Sequence, residues 1–366
     1  MPAPSFYRRP LPESQVPFAS DEGRRLFREA LADGTMEGYF AQAEQFHTQQ
    51  EPAFCGLATL VVALNALAID PGRMWKGPWR WYGEELLDCC APLDTIKNQG
   101  ITFDQFACLA RCNGATTAAT RATEENLDAF RAAIESSVTK PEGEVLAIAY
   151  TRRVLGQTGD GHFSTLGGFH RGRDLALVLD VARFKYPPHW APVALLHAAM
   201  VPPDPATARA RGWITLRRGA HPPLAYRLSP HASTWSEIAR AFEECESEVQ
   251  SASTIDDALR AFYRRLSPAL STLVEPHDAD SEAHRDLVCT VTDALRATEL
   301  AAAVRRVRGR EDDVATVLAF VAPDRTFAGV PGIAALRAID RLPSVLAAEV
   351  GRLREQLGVM TCADDA

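Results

Sequence analysis

Residues 48–60, TQQEPAFCGLATL, set one cysteine, Cys55, between a Pro-containing loop and a run that continues as VVALNAL to residue 67. Positions 56–67 are small and apolar on nearly every face, which predicts a helix buried in the middle of a domain. Cys55 would open that helix. A thiol at a helix N-terminus faces the positive end of the dipole, which favours the thiolate. An ordinary cysteine titrates near pH ~8.5, and one paired with a histidine at a helix start falls to about 3 to 4. Gln49, six residues upstream, is within reach of the sulfur. Its side-chain amide and the Cys55 backbone N–H are candidate oxyanion donors. Taken alone, Cys55 reads equally as a small buried hydrophobe.

A second stretch supplies a partner. Residues 159–180 read GDGHFSTLGGFHRGRDLALVLD, two strand-like runs (163–169 and 175–181) with Arg171-Gly172 as the turn. His162 and Asp180 each lie nine residues from Arg171. Positions equidistant from a hairpin turn face each other, so the two are expected as cross-strand neighbours. A carboxylate beside an imidazole fixes its tautomer and stabilises the imidazolium. The same pairing also serves a purely structural His–Asp contact, and a one-residue slip would break it. The order is Gln, Cys, a distant His, then an acid, which is the papain-like order with Asp at the third position.

Between these stretches, residues 71–81 (PGRMWKGPWRW) hold three Trp with Gly and Pro and predict a structured loop. Helices are predicted over 84–90, 103–112 and 124–137, the second closed by Asn113-Gly114, and a strand from Val145 (VLAIAY). After about residue 220 Ala, Arg, Glu and Leu rise and strand signals fade. Helices are expected over 254–266, 281–308 and 343–357. Leu346, Val350, Leu353 and Leu357 form an amphipathic stripe on the last. It suits packing within its own domain, with a homodimer contact as the alternative. The fold class is therefore α+β, with a catalytic domain over 1–220 and a variable, mainly helical domain over 221–366.

The chain has 366 residues, 46% hydrophobic, and a net charge of −8. Such a charge disfavours polyanions, so no nucleic-acid partner is expected. No apolar run reaches the roughly 20 residues of a membrane span. The first residues lack an apolar secretory core, and Glu13, Asp21 and Glu22 oppose a transit peptide. A cytoplasmic location is expected. The eight cysteines are then thiols in a reducing compartment, too sparse for a disulfide scaffold.

The stretches EPAFCGLATL, LNALAIDPGRMWKGPWRWY, LLDCCAPL, QTGDGHFSTLGGFH and LDVARFKYPPHW closely resemble phytochelatin synthases, strongly over about 35–215 and weakly to the end. The resemblance implies a papain-like catalytic domain with Cys55, His162 and Asp180 as its triad. It implies transfer of γ-Glu-Cys from glutathione to a second glutathione or a phytochelatin, with release of glycine, for heavy-metal detoxification. Heavy-metal ions, Cd²⁺ or Zn²⁺, would activate mainly as the metal–glutathione thiolate, and no organic cofactor is implied. Asp204 would meet the substrate ammonium and Arg211 its α-carboxylate. Arg152, Lys185 and Tyr186 would face the second substrate or the glycine carboxylate. Cys89, Cys90, Cys108 and Cys112 belong to the family pattern, as core thiols or a soft-metal site. Asp160 departs from the Thr common in plant-type members and sets a carboxylate next to His162 in sequence. Two other readings remain. One is a hydrolase in the same fold, removing glycine from glutathione or its S-conjugates. The other is a non-enzymatic thiol metal binder.

Overall fold

The computed structural model describes residues 8–72, 74–90, 92–141, 143–219, 224–228, 235–265, 273–276 and 282–361. Two compact units emerge, the first from the described parts of 1–71, 79–87 and 93–221. Its elements are β1 (Val16–Pro17), α1 (Asp21–Ala32), α2 (Glu37–Gln45), α3 (Cys55–Ala66), α4 (Leu93–Gln99), α5 (Phe103–Cys112), β2 (Ala115–Arg121) and α6 (Leu127–Val138). There follow β3 (Val145–Thr151), β4 (Gly161–His170), β5 (Leu175–Leu179), β6 (His189–Pro192), α7 (Val193–Ala198) and β7 (Gly212–Arg218).

The seven strands form one antiparallel sheet in the order β1-β6-β5-β4-β3-β7-β2. The fold is α+β, as the sequence predicts. β3 and β5 are buried at every position, which explains why they read as unbroken apolar runs, VLAIAYT and LALVL. α2, α3 and α6 pack on the central strand β4. In α3, residues 56–64 are all buried. Its first turn approaches closely because residue 56 is glycine: a Cβ there would lie 2.4 Å from the Ile101 side chain and 3.4 Å from that of Phe163.

Local chemistry sets the ends of several elements. α5 spans the predicted 103–112 because Thr102 and Gln105 form a reciprocal capping box. The predicted helix at 84–90 shrinks to a 3-10 turn over Glu84–Leu86. There Glu84 is buried and accepts from the Gln50 backbone N–H through both oxygens, at 3.1 and 3.2 Å. Burial pushes that carboxyl up to about 7.

The second unit takes in the described parts of 72–78, 88–92 and 222–366, so two short segments from the middle of the chain belong to it. It contains a two-stranded ribbon, β8 (Tyr226–Leu228) and β9 (Val274–Pro276), with α8 (Trp235–Gln250) and α9 (Ile255–Arg265). Then come α10 (Glu282–Arg296), α11 (Glu299–Arg308), α12 (Asp313–Val321), α13 (Ile333–Leu336) and α14 (Ser344–Thr361). The predicted helix over 281–308 is two, because the Thr298 hydroxyl accepts from the Ala301 N–H and caps α11. Leu266 and Ser281, ends of predicted helices, lie outside the described residues. The stripe Leu346, Val350, Leu353, Leu357 is buried, and α14 packs on α8, α10 and α12 of the same unit. Among the described residues no helix is long and apolar enough to cross a membrane.

Gly212 is paired with Arg121 of β2 and Ala149 of β3 and leaves no room for a side chain. A Cβ there would sit 2.0 Å from the Thr120 carbonyl oxygen. Gly212→Ala is therefore expected to destabilise the first unit by about 1–3 kcal/mol, read as a lowered melting temperature. An unchanged melt would mean that β2 and β7 are spaced more widely than described.

Candidate active site

Cys55 is the first residue of α3 and is partly buried. His162 is the second residue of β4, and Asp180 follows the last residue of β5. Near the turn His170 pairs with Leu175 and Gly168 with Leu177, a register that would carry Asp180 and His162 to opposite faces. A β-bulge between Leu166 and Gly168 shifts the register by one, so that Thr165 pairs with Leu179. Continued, this register sets Asp180 opposite Ser164, two residues from the expected partner and on the face that His162 occupies. His162 Nε2 and Asp180 Oδ1 are 2.9 Å apart. The imidazole also acts on the Cys55 thiol and lowers its pKa. With Nε2 on the carboxylate, Nδ1 is the nitrogen left for sulfur.

Burial alone would raise the Cys55 pKa. The charge of His162, its hydrogen bond, the Phe163 backbone amide and the charge of Arg152 outweigh it and bring the thiol below its ordinary value. Burial and Arg152 would lower the His162 pKa, but Asp180 and Cys55 raise it above the ordinary value. Both shifts run in the direction that favours a thiolate–imidazolium pair. Asp180 is held far below the usual carboxylate range against the effect of burial, by the charges of His162 and Arg152.

Arg152, expected to contact substrate, is buried and committed elsewhere. Its Nη2 donates to both Asp180 oxygens, at 3.0 and 2.8 Å, and its Nη1 to Gln157 Oε1. Gln157 Nε2 donates to Gln15 Oε1 at 2.7 Å and contacts His189 Nε2 at 3.3 Å. His189 Nδ1 bonds the Pro187 carbonyl at 2.9 Å. The Tyr186 ring lies 5.1 Å from the guanidinium, and its hydroxyl accepts from the Thr158 N–H at 2.8 Å. Lys185 is partly exposed, and its ammonium lies against Gly159. Burial, then the nearby Arg152 charge, lowers its pKa.

Arg211 is buried with its guanidinium against Gly161, next to His162. It is 3.4 Å from Asp204 and 3.7 Å from Asp160. Asp160 turns from His162 to accept from the Thr151 hydroxyl at 2.7 Å. Gln49 is buried. Its side-chain amide donates to the Glu51 and Pro52 carbonyls at 2.8 and 2.9 Å, and its Oε1 has no partner. In this geometry the amide ties the loop into Cys55. Cys108 and Cys112 are buried on α5 in the first unit. Cys89 and Cys90 lie in the second, with sulfurs 3.9 Å apart. Two contributors lacked any local sequence signal: the Phe163 backbone amide, and Gln157, which a search for charged or nucleophilic residues passes over.

The phytochelatin synthase family model matches residues 6–213. Glutathione gamma-glutamylcysteinyltransferase 3 of Lotus japonicus is 50% identical over 246 residues, 67% of this chain and 51% of that one. The corresponding transferase 2 of Arabidopsis thaliana is 46% identical over 260 residues, 71% and 57% of the two chains. The transferase of Schizosaccharomyces pombe is 41% identical over 266 residues, 73% and 64%. The chain thus spans between about half and two thirds of the length of these curated relatives.

His162→Ala leaves Cys55 with its burial and without the imidazole. The thiol is expected to titrate above its ordinary value, and iodoacetamide alkylation of the Cys55 peptide at pH 7 to slow by at least about tenfold, read by mass spectrometry. An unchanged rate would assign the lowered thiol to Arg152, the Phe163 amide and the helix dipole, and not to His162.

Proposed function

Because the chain belongs to the phytochelatin synthase family, we propose that it transfers γ-Glu-Cys from glutathione to a second glutathione or to a phytochelatin through a thioester on Cys55. The observation that carries this reading is a cysteine at the start of α3 whose thiol is lowered by a histidine that Asp180 holds at 2.9 Å. The Cys55 thiolate attacks the carbonyl carbon of the Cys–Gly peptide bond. The C–N bond breaks, and His162 gives its proton to the departing glycine amine. The α-amine of the acceptor then attacks the thioester, His162 takes a proton from it, and the Cys55 thiolate leaves. The Cys55 N–H, free of an intrahelical partner at the first helical position, suits one oxyanion donor. Gln49 would supply the other on turning from the Glu51 and Pro52 carbonyls.

The γ-glutamyl end of glutathione is a zwitterion. Asp204 and Arg211 already pair with each other, and that pair suits exchange for the substrate's ammonium and carboxylate. Lys185, partly exposed with its ammonium against Gly159, suits the glycine carboxylate or the acceptor, which Tyr186 beside it in sequence would also face. Cd²⁺ or Zn²⁺ enters as the thiolate complex of glutathione, and so as part of the substrate. The reaction belongs in a reducing, cytosolic compartment, where Cys55 stays a thiol.

The deciding test is mass spectrometry of products after incubation with glutathione and Cd²⁺. Products spaced by γ-Glu-Cys are expected, absent with Cys55→Ala and retained with Cys89→Ser. Free γ-Glu-Cys and glycine without longer products would establish the hydrolase instead. Full turnover by Cys55→Ala would remove Cys55 from the chemistry.

A further inference from the structure

Arg152 lies a few ångströms from the reacting groups, yet its geometry is not that of a substrate contact. Its side chain is 3% exposed, that of Asp180 0% and that of His162 5%. Its Nη2 sits on both oxygens of Asp180, and its Nη1 on Gln157. Gln157 is itself fully engaged. Its Oε1 accepts from Arg152 Nη1 and its Nε2 faces Gln15 and His189. Gln15 in turn donates to the Leu155 carbonyl at 2.7 Å. The Nη groups that a ligand carboxylate would grip are thus turned to the protein. We infer that Arg152 is a positioning residue: it holds Asp180 against His162 from behind and balances the charge of the buried Cys55–His162–Asp180 set.

The balance can be counted. With Arg152 positive and Asp180 negative, the set is neutral whether the proton is on sulfur or on the imidazole. Moving that proton therefore creates no net buried charge in either state. Remove the guanidinium and both states carry one uncompensated negative charge in a site of low dielectric. The other groups facing the set do not replace it. Tyr150 on β3 is buried, with its hydroxyl 3.3 Å from that of Ser164. His189 on β6 is kept below its ordinary pKa first by burial, and its ring is occupied by Pro187 and Gln157. Lys185 is partly exposed, and Asp160 faces Thr151 and Arg211. Arg152 alone among these sits on the carboxylate. Its positive charge lowers the pKa of both Cys55 and His162, so losing it moves both titrations to higher pH.

The test reads the free enzyme, so its outcome is separable from that of the proposed transfer. Iodoacetamide alkylation of Cys55 is followed against pH without glutathione, in wild type, Arg152→Gln and Arg152→Lys. Arg152→Gln is expected to move the acid limb to higher pH, slowing alkylation at pH 6 by about tenfold. Arg152→Lys keeps the charge and is expected to hold the limb near wild type while lowering kcat, because the two-oxygen grip is lost. Gln157→Glu, a near-isosteric change that sets a second carboxylate on the guanidinium, is expected to move the limb in the same direction as Arg152→Gln. It serves where the Arg152 variants do not fold. An unmoved limb in Arg152→Gln or Gln157→Glu overturns the inference, and a raised KM for glutathione with an unmoved limb returns Arg152 to the substrate.

Discussion

The Asp180 carboxylate is the constraint around which the first unit is arranged. It is fully buried, and an unpaired ion in that position would cost several kcal/mol. Its oxygens accept four hydrogen bonds, two from Arg152, one from His162 and one from the Ala182 backbone N–H at 2.9 Å. Each partner comes from a different place: Arg152 from the end of β3, His162 from β4, and Ala182 from the turn after β5. Satisfying one carboxylate therefore fixes three adjacent strand ends relative to one another. The Gln49 N–H, donating to the Val181 carbonyl at 3.1 Å, ties the loop before Cys55 to the same point.

The sheet supplies what those bonds need. Without the bulge at Gly167 the hairpin would aim Asp180 at the wrong face of β4, and no side-chain rotation would recover the pairing. Gly56 does the corresponding work for the nucleophile, since any side chain there would push the first turn of α3 off Ile101 and Phe163. Gly167 thus sets the carboxylate against the imidazole, and Gly56 the helix that carries the sulfur.

Local signals in the sequence reached some of this and not the rest. α3 was legible because it is apolar on every face, and α5 because Asn113-Gly114 closes it. β1, β2, β6 and β7 were not; β2 (ATTAATR), for one, is half-exposed and shows no apolar alternation. The pairing of His162 with Asp180 was legible for a partly mistaken reason. Counting from Arg171 gives facing residues, whereas the bulged register makes them diagonal neighbours on the same face. Glu84 could not be read as a helix stop, because its partner, the Gln50 N–H, is 34 residues away. The grip of Arg152 on Asp180 was illegible for the same reason: nothing local to residue 152 announces a carboxylate 28 residues later in the chain.

The two buried arginines of the site show what such a distinction rests on. Arg152 and Arg211 are almost equally hidden, at 3% and 4% exposure. Their carboxylates are not alike. Asp180 is sealed and bound at 2.8 and 3.0 Å, so a ligand would have to break a desolvated grip with no water to replace it. Asp204 and Asp160 are 22% and 33% exposed and stand 3.4 and 3.7 Å from Arg211, outside close hydrogen-bond range. Separating them from Arg211 returns carboxylates to water they already touch. A zwitterionic ligand could therefore exchange with the second pair at small cost and could not with the first. Partner exposure, more than the burial of the arginine itself, divides the charges that hold the site together from those that can meet a substrate.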